Sequence, residues 1–468
     1  MTNLRNRAIK GGAFLFVRQG AGIVVSVAGV LLVTRLIGPY QYGLYAASAG
    51  IVTFLSTFGV WGLDTYLLRK TADPNEHEFS QVLTLLALIS AVLCCGLIAL
   101  RSMVANFLKM PQELSILTAM SFAIPLTILT VPAVVKLDRD LNFKQVAVNE
   151  LISQIIQYAV TLPLAFAGFG AWAAVAGFLM KQVCLLGLSY TASHLCPRLH
   201  WEYSLVKRMV RYGLGYSCSM WIWQLRGLVN PLIVGRWVGA EAVGYVAVAV
   251  RIADTLAFAS NVTWRIALPA LAKLNNDAAR LRNSVVEGMR FQAASVGLPL
   301  AGFALAAPLL IPLGFGHNWA SAGKLFPFIA LSYLSNAMVT MASSVLYLFG
   351  KNIQMTVFST LHIVLFAGSA ALLVPRVGYL GYGWAEILAL PAYLVIHLVL
   401  VEAIGRPSYS AAAIWYATSA GAILLGAIGA PALYFGFAVL AAPFIFPKER
   451  ATLIGYASVI FSRAATPA

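Results

Sequence analysis

Charge is what this chain has least of. Asp, Glu, Lys and Arg make up 10% of its 468 residues while 60% are hydrophobic, and the mean hydropathy is +0.83. A water-soluble domain of this length could not cover its surface with so few charges, so lipid must be the solvent for most of the chain. Short segments with a polar residue at every second position, the signature of a membrane β-barrel, are missing too. No GxxxxGK[ST] motif occurs, which excludes an ATPase of the P-loop type. Cysteine is scarce: Cys94, Cys95, Cys184, Cys196 and Cys218 lack the paired spacing of a zinc site or redox motif and read as small core residues. His362 and His397 stand alone on apolar stretches and read as core side chains. No external loop exceeds roughly 15 residues, too little for the aqueous catalytic domain of a glycan polymerase or ligase. Neither a cofactor nor an enzymatic activity is expected. Acidic residues number 16 against 32 basic ones, for a net charge of +16. The cations sit in short loops rather than on a folded aqueous surface, so nucleic acid is excluded as a partner.

What is present is a succession of apolar stretches of about 20 residues, each long enough to cross a hydrocarbon core as a helix. Hydropathy places about fourteen of them between residues 13 and 446, which predicts an all-α polytopic membrane protein. Arg18 interrupts the first stretch and no small-residue cleavage site follows, so the N-terminus reads as an uncleaved first helix. With both termini in the cytoplasm, most Lys and Arg fall on cytoplasmic segments. Their clusters are Lys136/Arg139/Lys144, Lys207/Arg208/Arg211 and Lys273/Arg280/Arg282/Arg290. They read as topology anchors that also touch anionic membrane lipids.

The chain repeats itself. Arg35-Leu-Ile-Gly38-Pro-Tyr-Gln-Tyr-Gly43-Leu-Tyr-Ala46 is echoed by Arg236-Trp-Val-Gly239-Ala-Glu-Ala-Val-Gly244-Tyr-Val-Ala247, with arginine, both glycines and alanine matching at one offset. Gly168-Phe-Gly170-Ala-Trp172 is echoed more loosely by Gly381-Tyr-Gly383-Trp384. An even number of spans precedes the second copy, so the halves share one orientation, related by an axis along the membrane normal. This predicts two pseudo-symmetric six-helix lobes, 1–200 and 201–405, with two further helices and a cytoplasmic tail over 406–468. A transported molecule would sit where the lobes face each other.

Ionisable residues at bilayer depth cost at least about 2.5 kcal/mol each, so they face protein or a wet cavity and often work there. The cations are Arg18, Lys181, Arg226, Arg251 and Arg265; the anions are Asp64, Asp254 and Glu386. Glu150, at the membrane edge, reads as a helix-start charge favoured by the dipole. Arg226 and Arg251 both fall near mid-depth. Arg251 and Asp254, three apart, share a helix face, Arg18 and Asp64 lie at similar depth on neighbouring spans, and the repeat offset carries Asp64 onto Arg265. Two readings stand side by side. In one, Arg18, Arg226, Arg251 and Arg265 form a cationic cavity for an anionic headgroup such as pyrophosphate, whose oxygens suit the guanidinium fork. In the other they are structural ion pairs. Asp64, Asp254 and Glu386 are the candidates for proton or sodium coupling, since a desolvated carboxylate can titrate near neutrality. Trp221 and Trp223, close to Arg226, could stack on sugar rings or belong to an interfacial belt.

Several of these motifs together resemble the polysaccharide transporters, the O-antigen and exopolysaccharide flippases of the multidrug/oligosaccharidyl-lipid/polysaccharide exporter superfamily. The resemblance rests on Arg35-Leu-Ile-Gly38-Pro39-Tyr-Gln-Tyr42-Gly43 after the first span, Leu137-Asp-Arg139-Asp-Leu-Asn-Phe143-Lys144 between the fourth and fifth, and Gly168-Phe-Gly170-Ala-Trp172. Ile233-Val-Gly235-Arg236-Trp-Val-Gly239 and Gly314-Phe-Gly316-His-Asn-Trp319 extend it. It implies a V-shaped pair of lobes with a cationic lumen and movement of undecaprenyl-pyrophosphate-linked oligosaccharide to the outer leaflet of a bacterial inner membrane. It also implies coupling to an ion gradient, as in a secondary transporter. Polysaccharide polymerase and chain-length proteins stand as candidate partners. The family often has Asp where this chain has Asn230, followed by Pro231. Two other readings remain: a drug or metabolite antiporter of the same superfamily, and a non-transporting component of a polysaccharide assembly complex.

Overall fold

The computed structural model describes residues 2–70, 74–272, 277–429, 432–447, 449–451 and 454, and every regular element among them is helical. Nine helices among the described residues are long and apolar enough to cross a membrane, which makes this a multi-pass membrane protein. The places where expected spans do not appear as single uninterrupted helices have local causes. The span expected at 13–35 and most of that expected at 43–68 form one helical run, Thr2–Gly59, bent where Gly38 takes φ 76° ahead of Pro39, and the rest of the second is the short helix Leu63–Arg69. The span expected at 212–235 is the helix Tyr203–Gln224 followed by the short turns Arg226–Val229, Asn230–Val234 and Gly235–Val238. Pro231 lacks an N–H, and the ladder around it loosens into a π-turn. The span expected at 243–270 divides into Ala240–Leu256 and Phe258–Ala272. Helix Phe143–Phe166 has the length to cross, but Asn149, Glu150, Gln154 and Gln157 dilute its apolar character. Near the C-terminus, Ser410–Ile428 and Ala432–Ala441 are separate helices.

The chain forms two compact units, Met1–Gly244 and Tyr245–Ala468. In the first, Phe143–Phe166 packs against Ala171–Ser193 and against the long run Thr2–Gly59. In the second, Ala278–Gly314 lies along Ser410–Ile428 and beside Ala320–Leu348.

The sequence repeat is also a structural one. Gly38 and Gly239 occupy equivalent positions and both take left-handed backbone, φ 76° and 99°, where a Cβ would be strained. Five residues further on, the two elbows cross inside the first unit. A Cβ on Gly43 would lie 1.7 Å from the Ala240 carbonyl oxygen, and one on Gly244 would lie 2.3 Å from that of Pro39. Each elbow thus presses its glycine onto the other's first residue after the bend, a reciprocal contact that only backbone without a side chain allows.

Two motif arginines hold helix ends. The Arg236 guanidinium lies 4.5 Å from the Phe107 ring and donates to the Phe107 carbonyl in the last turn of helix Glu76–Leu108. Arg139 donates to the carbonyls of Leu67 (2.7 Å) and Lys70 (3.0 Å) at the end of helix Leu63–Arg69. Both satisfy carbonyls that a helix C-terminus leaves without partners in its own ladder.

Candidate transport cavity

The first helical run ends where Trp61 and Gly62 turn left-handed, φ 50° and 67°, and the helix restarts at Leu63. That break places Asp64 in the first turn of the new segment, at the wall of a cavity of about 440 Å³. Thr53, Ser56, Thr57 and Thr65 reach it from the same stretch, Gln182 from helix Ala171–Ser193 and Ser217 from helix Tyr203–Gln224. Phe178, Met220 and Trp221 supply apolar surface, and Trp221 is braced by Phe58 at 4.6 Å between ring centroids. Among the described lining residues Asp64 is the one charged group. The Thr65 hydroxyl lies 3.4 Å from Asp64 Oδ1, Thr57 donates to the Thr53 carbonyl at 3.0 Å, and the Gln182 amide donates to the Thr127 hydroxyl. Ser56 is 4% exposed and its Oγ has no hydrogen-bond partner.

Of the other site residues expected from sequence, Arg226 belongs to the same unit. It is half-buried, with its guanidinium 5.8 Å from the Trp223 ring. Gly50 of the long run faces Gly227 and Pro231, and Arg226 is not among the residues that line the cavity. Arg251, Asp254 and Glu386 belong to the second unit. Arg251 and Asp254 are exposed, and Tyr333 donates to Asp254 Oδ1 at 2.7 Å. Glu386 is fully buried and accepts from the Ser332 hydroxyl at 2.7 Å. The side chains of Arg18 and Arg265 lie outside the described residues.

The structure adds groups that sequence reading passed over. Glu113 is fully buried; the Ser48 hydroxyl donates to one of its oxygens, and the other has no hydrogen-bond partner. Standing at the start of a span, it looks in sequence like another interfacial charge. Glu449, in the tail, accepts from Arg290 Nη2 at 2.7 Å and Nε at 3.1 Å and from the Trp415 indole at 2.7 Å. A tail carboxylate 159 residues from its arginine has no local sequence signal. Asn230 donates to the Val243 carbonyl at 3.2 Å, a bond that an aspartate carboxylate cannot make. A second cavity, about 600 Å³, lies within the second unit. Met289, Met338, Leu390 and Leu394 line it, while Tyr416 and Tyr409 at its edge pair with Ser335 (2.7 Å) and His397 (2.8 Å). Its wall is mostly apolar.

Residues 32–324 match the family model described as "Polysaccharide biosynthesis protein". Among curated proteins, the chain is 26% identical over 67% of its length to the succinoglycan biosynthesis transport protein ExoT of Rhizobium meliloti (strain 1021). It is 22% identical over 68% of its length to the lipopolysaccharide biosynthesis protein WzxC of Escherichia coli (strain K12). The chain spans 63% and 65% of the lengths of these two relatives. Among solved structures, the lipid II flippase MurJ in an inward closed conformation shares the fold with a TM-score of 0.72 at 12% identity, over 97% of this chain and 99% of that one.

Proposed function

The chain belongs to the polysaccharide biosynthesis protein family, and on that premise we propose that it is a flippase that moves a lipid-linked oligosaccharide across the bacterial inner membrane. The observation that carries this reading is the polar cavity at Asp64, cut into a unit built otherwise from apolar spans. A wet pocket inside lipid-facing helices is expensive and marks a path for polar cargo. The substrate is an undecaprenyl-pyrophosphate-linked repeat unit, delivered outward by alternating access between two six-helix lobes within about fourteen spans. The crossed elbows at Gly43 and Gly244 support the pseudo-symmetric arrangement. Arg226 binds the pyrophosphate, with Arg18, Arg251 and Arg265 as further phosphate contacts, because guanidinium groups in low dielectric outcompete water for phosphate oxygens. Asp64, Asp254 and Glu386 are the carboxylates through which an ion gradient would act, Asp64 by carrying a proton rather than a sodium ion. Both termini lie in the cytoplasm, and polysaccharide polymerase and chain-length proteins receive the product.

The test is translocation of a fluorescent undecaprenyl-pyrophosphate oligosaccharide in proteoliposomes. Wild-type protein moves the label to the opposite leaflet and Arg226→Ala does not. Flipping that survives in Arg226→Ala removes that residue from the site, and no flipping of any lipid-linked glycan by wild type rejects the function. The Asp64 carboxylate also suits a cationic drug, so the second reading is a drug antiporter, for which gradient-driven efflux of a cationic dye would be seen instead.

A further inference from the structure

The cavity beside Asp64 has the wrong chemistry for phosphate and the right chemistry for a sugar. We propose that it is a saccharide subsite, taking one neutral pyranose ring of the transported molecule while the pyrophosphate is held elsewhere. The inference rests on the flippase reading above and adds a separate place for the sugar.

Three observations carry it. The first is charge: the one charged group among the described lining residues is a carboxylate, which repels a phosphate wherever solvent screening is weak. The second is the balance of donors and acceptors. Thr57 spends its hydroxyl proton on the Thr53 carbonyl and Gln182 directs its amide at Thr127. Thr57 is left with lone pairs, Asp64 accepts, Gln182 keeps its carbonyl oxygen and one N–H, and Thr127, which accepts from Gln182, keeps its own proton to give. Such a wall of acceptors and donors suits a ligand with several hydroxyls, each of which both gives and accepts. A pyranose has them; a phosphate diester has none. The third is size and shape. One water takes about 30 Å³ of liquid volume, so a cavity of about 440 Å³ is far too large to close around a bare sodium ion, which needs a tight oxygen cage. It has room for a sugar ring, with Trp221 on its apolar wall to cover the C–H face of the pyranose as aromatic rings do.

The experiment measures equilibrium binding to the purified protein in detergent. The probes are undecaprenyl pyrophosphate alone and the same lipid bearing one glucose, one galactose or one N-acetylglucosamine. Wild type is expected to bind at least one sugar-bearing probe about tenfold more tightly than the bare lipid, the factor that one charge-assisted hydrogen bond supplies. Ser56→Leu, which fills the pocket, and the isosteric Asp64→Asn each bring that ratio close to one and leave the bare lipid's Kd unchanged. Agreement between the two variants, with unaltered thermal unfolding, separates loss of the subsite from loss of fold. The proposal is overturned if wild type shows no preference for any sugar, if the preference survives both variants, or if the variants weaken the bare lipid equally. It is also overturned if wild type binds radioactive sodium ion and Asp64→Asn does not, which would mark a sodium site. Failure of every probe to bind wild type, bare lipid included, would reject the flippase reading itself.

Discussion

At the scale of single residues, what matters is whether a buried polar atom has met its partner. Asn230 is informative because it departs from the acid frequent in the family it resembles. Its amide donates to the Val243 carbonyl, so Asn230→Asp turns an attraction into lone-pair repulsion next to the π-turn at Pro231. The expected cost is about 1–3 kcal/mol, read as a lower thermal midpoint in detergent; an unchanged midpoint would mean the bond contributes nothing. The Arg290–Glu449 pair is nearly buried, with side chains 11% and 9% exposed, and Trp415 donates to the same carboxylate. Glu449→Ala leaves a guanidinium and an indole N–H without that partner and is expected to destabilise by about 3–5 kcal/mol. Arg290→Met combined with Glu449→Leu should recover most of the loss, because removing both charges also removes the desolvation cost. Arg290 reads in sequence as one of a cluster of topology anchors. Its partnership with the tail appears only when the chain is folded.

At the scale of elements, the crossed elbows are the sharpest constraint. Gly43→Leu and Gly244→Leu each force a side chain into the other elbow's backbone, where no rotamer can relieve the clash. Each is expected to abolish well-folded protein or destabilise it by about 3 kcal/mol or more, measured by size-exclusion profile and thermal unfolding. Because both act on one contact, the double variant should cost much less than the sum of the two. Full additivity would show that the two glycines do not share an interface. Here much was legible: the constant offset between the two copies announced equivalent bends, and glycine at each bend announced backbone that other residues resist. Their reciprocal packing was not legible, since a repeat reports similarity and not contact. The break at Trp61 and Gly62 was hidden because tryptophan gives no hint of left-handed backbone. For that reason Asp64 reads in sequence as a residue within a continuous span and in the structure as the first turn after a break.

At the scale of the whole molecule, the predictions concern transport. Glu386 is buried with Ser332 as a hydrogen-bond donor, and Glu386→Gln keeps an acceptor for that hydroxyl while removing the titratable proton. If Glu386 couples transport to a gradient, the variant still flips substrate when it moves down its own gradient but no longer responds to an imposed proton or sodium gradient. A retained response would assign the coupling to Asp64 or Asp254. Transport in wild type should fall when Arg226 is replaced by Lys as well as by Ala, though less steeply, since an ammonium is a point charge without the planar fork that grips two phosphate oxygens.

Composition and hydropathy alone determined that the solvent is lipid and that the backbone must be helical to satisfy itself there, and the matching motifs showed that the chain carries a repeat. These follow from local chemistry, summed residue by residue. The motifs likewise carried the resemblance that the family match bears out. Tertiary structure decided which polar residues share a space. In a chain apolar on nearly every face, helical periodicity does not distinguish a side that meets lipid from a side that meets protein. Asp64, Ser56, Gln182 and Ser217 come from three separate stretches and meet around one cavity because a helix breaks at Trp61 and its neighbours close around the gap.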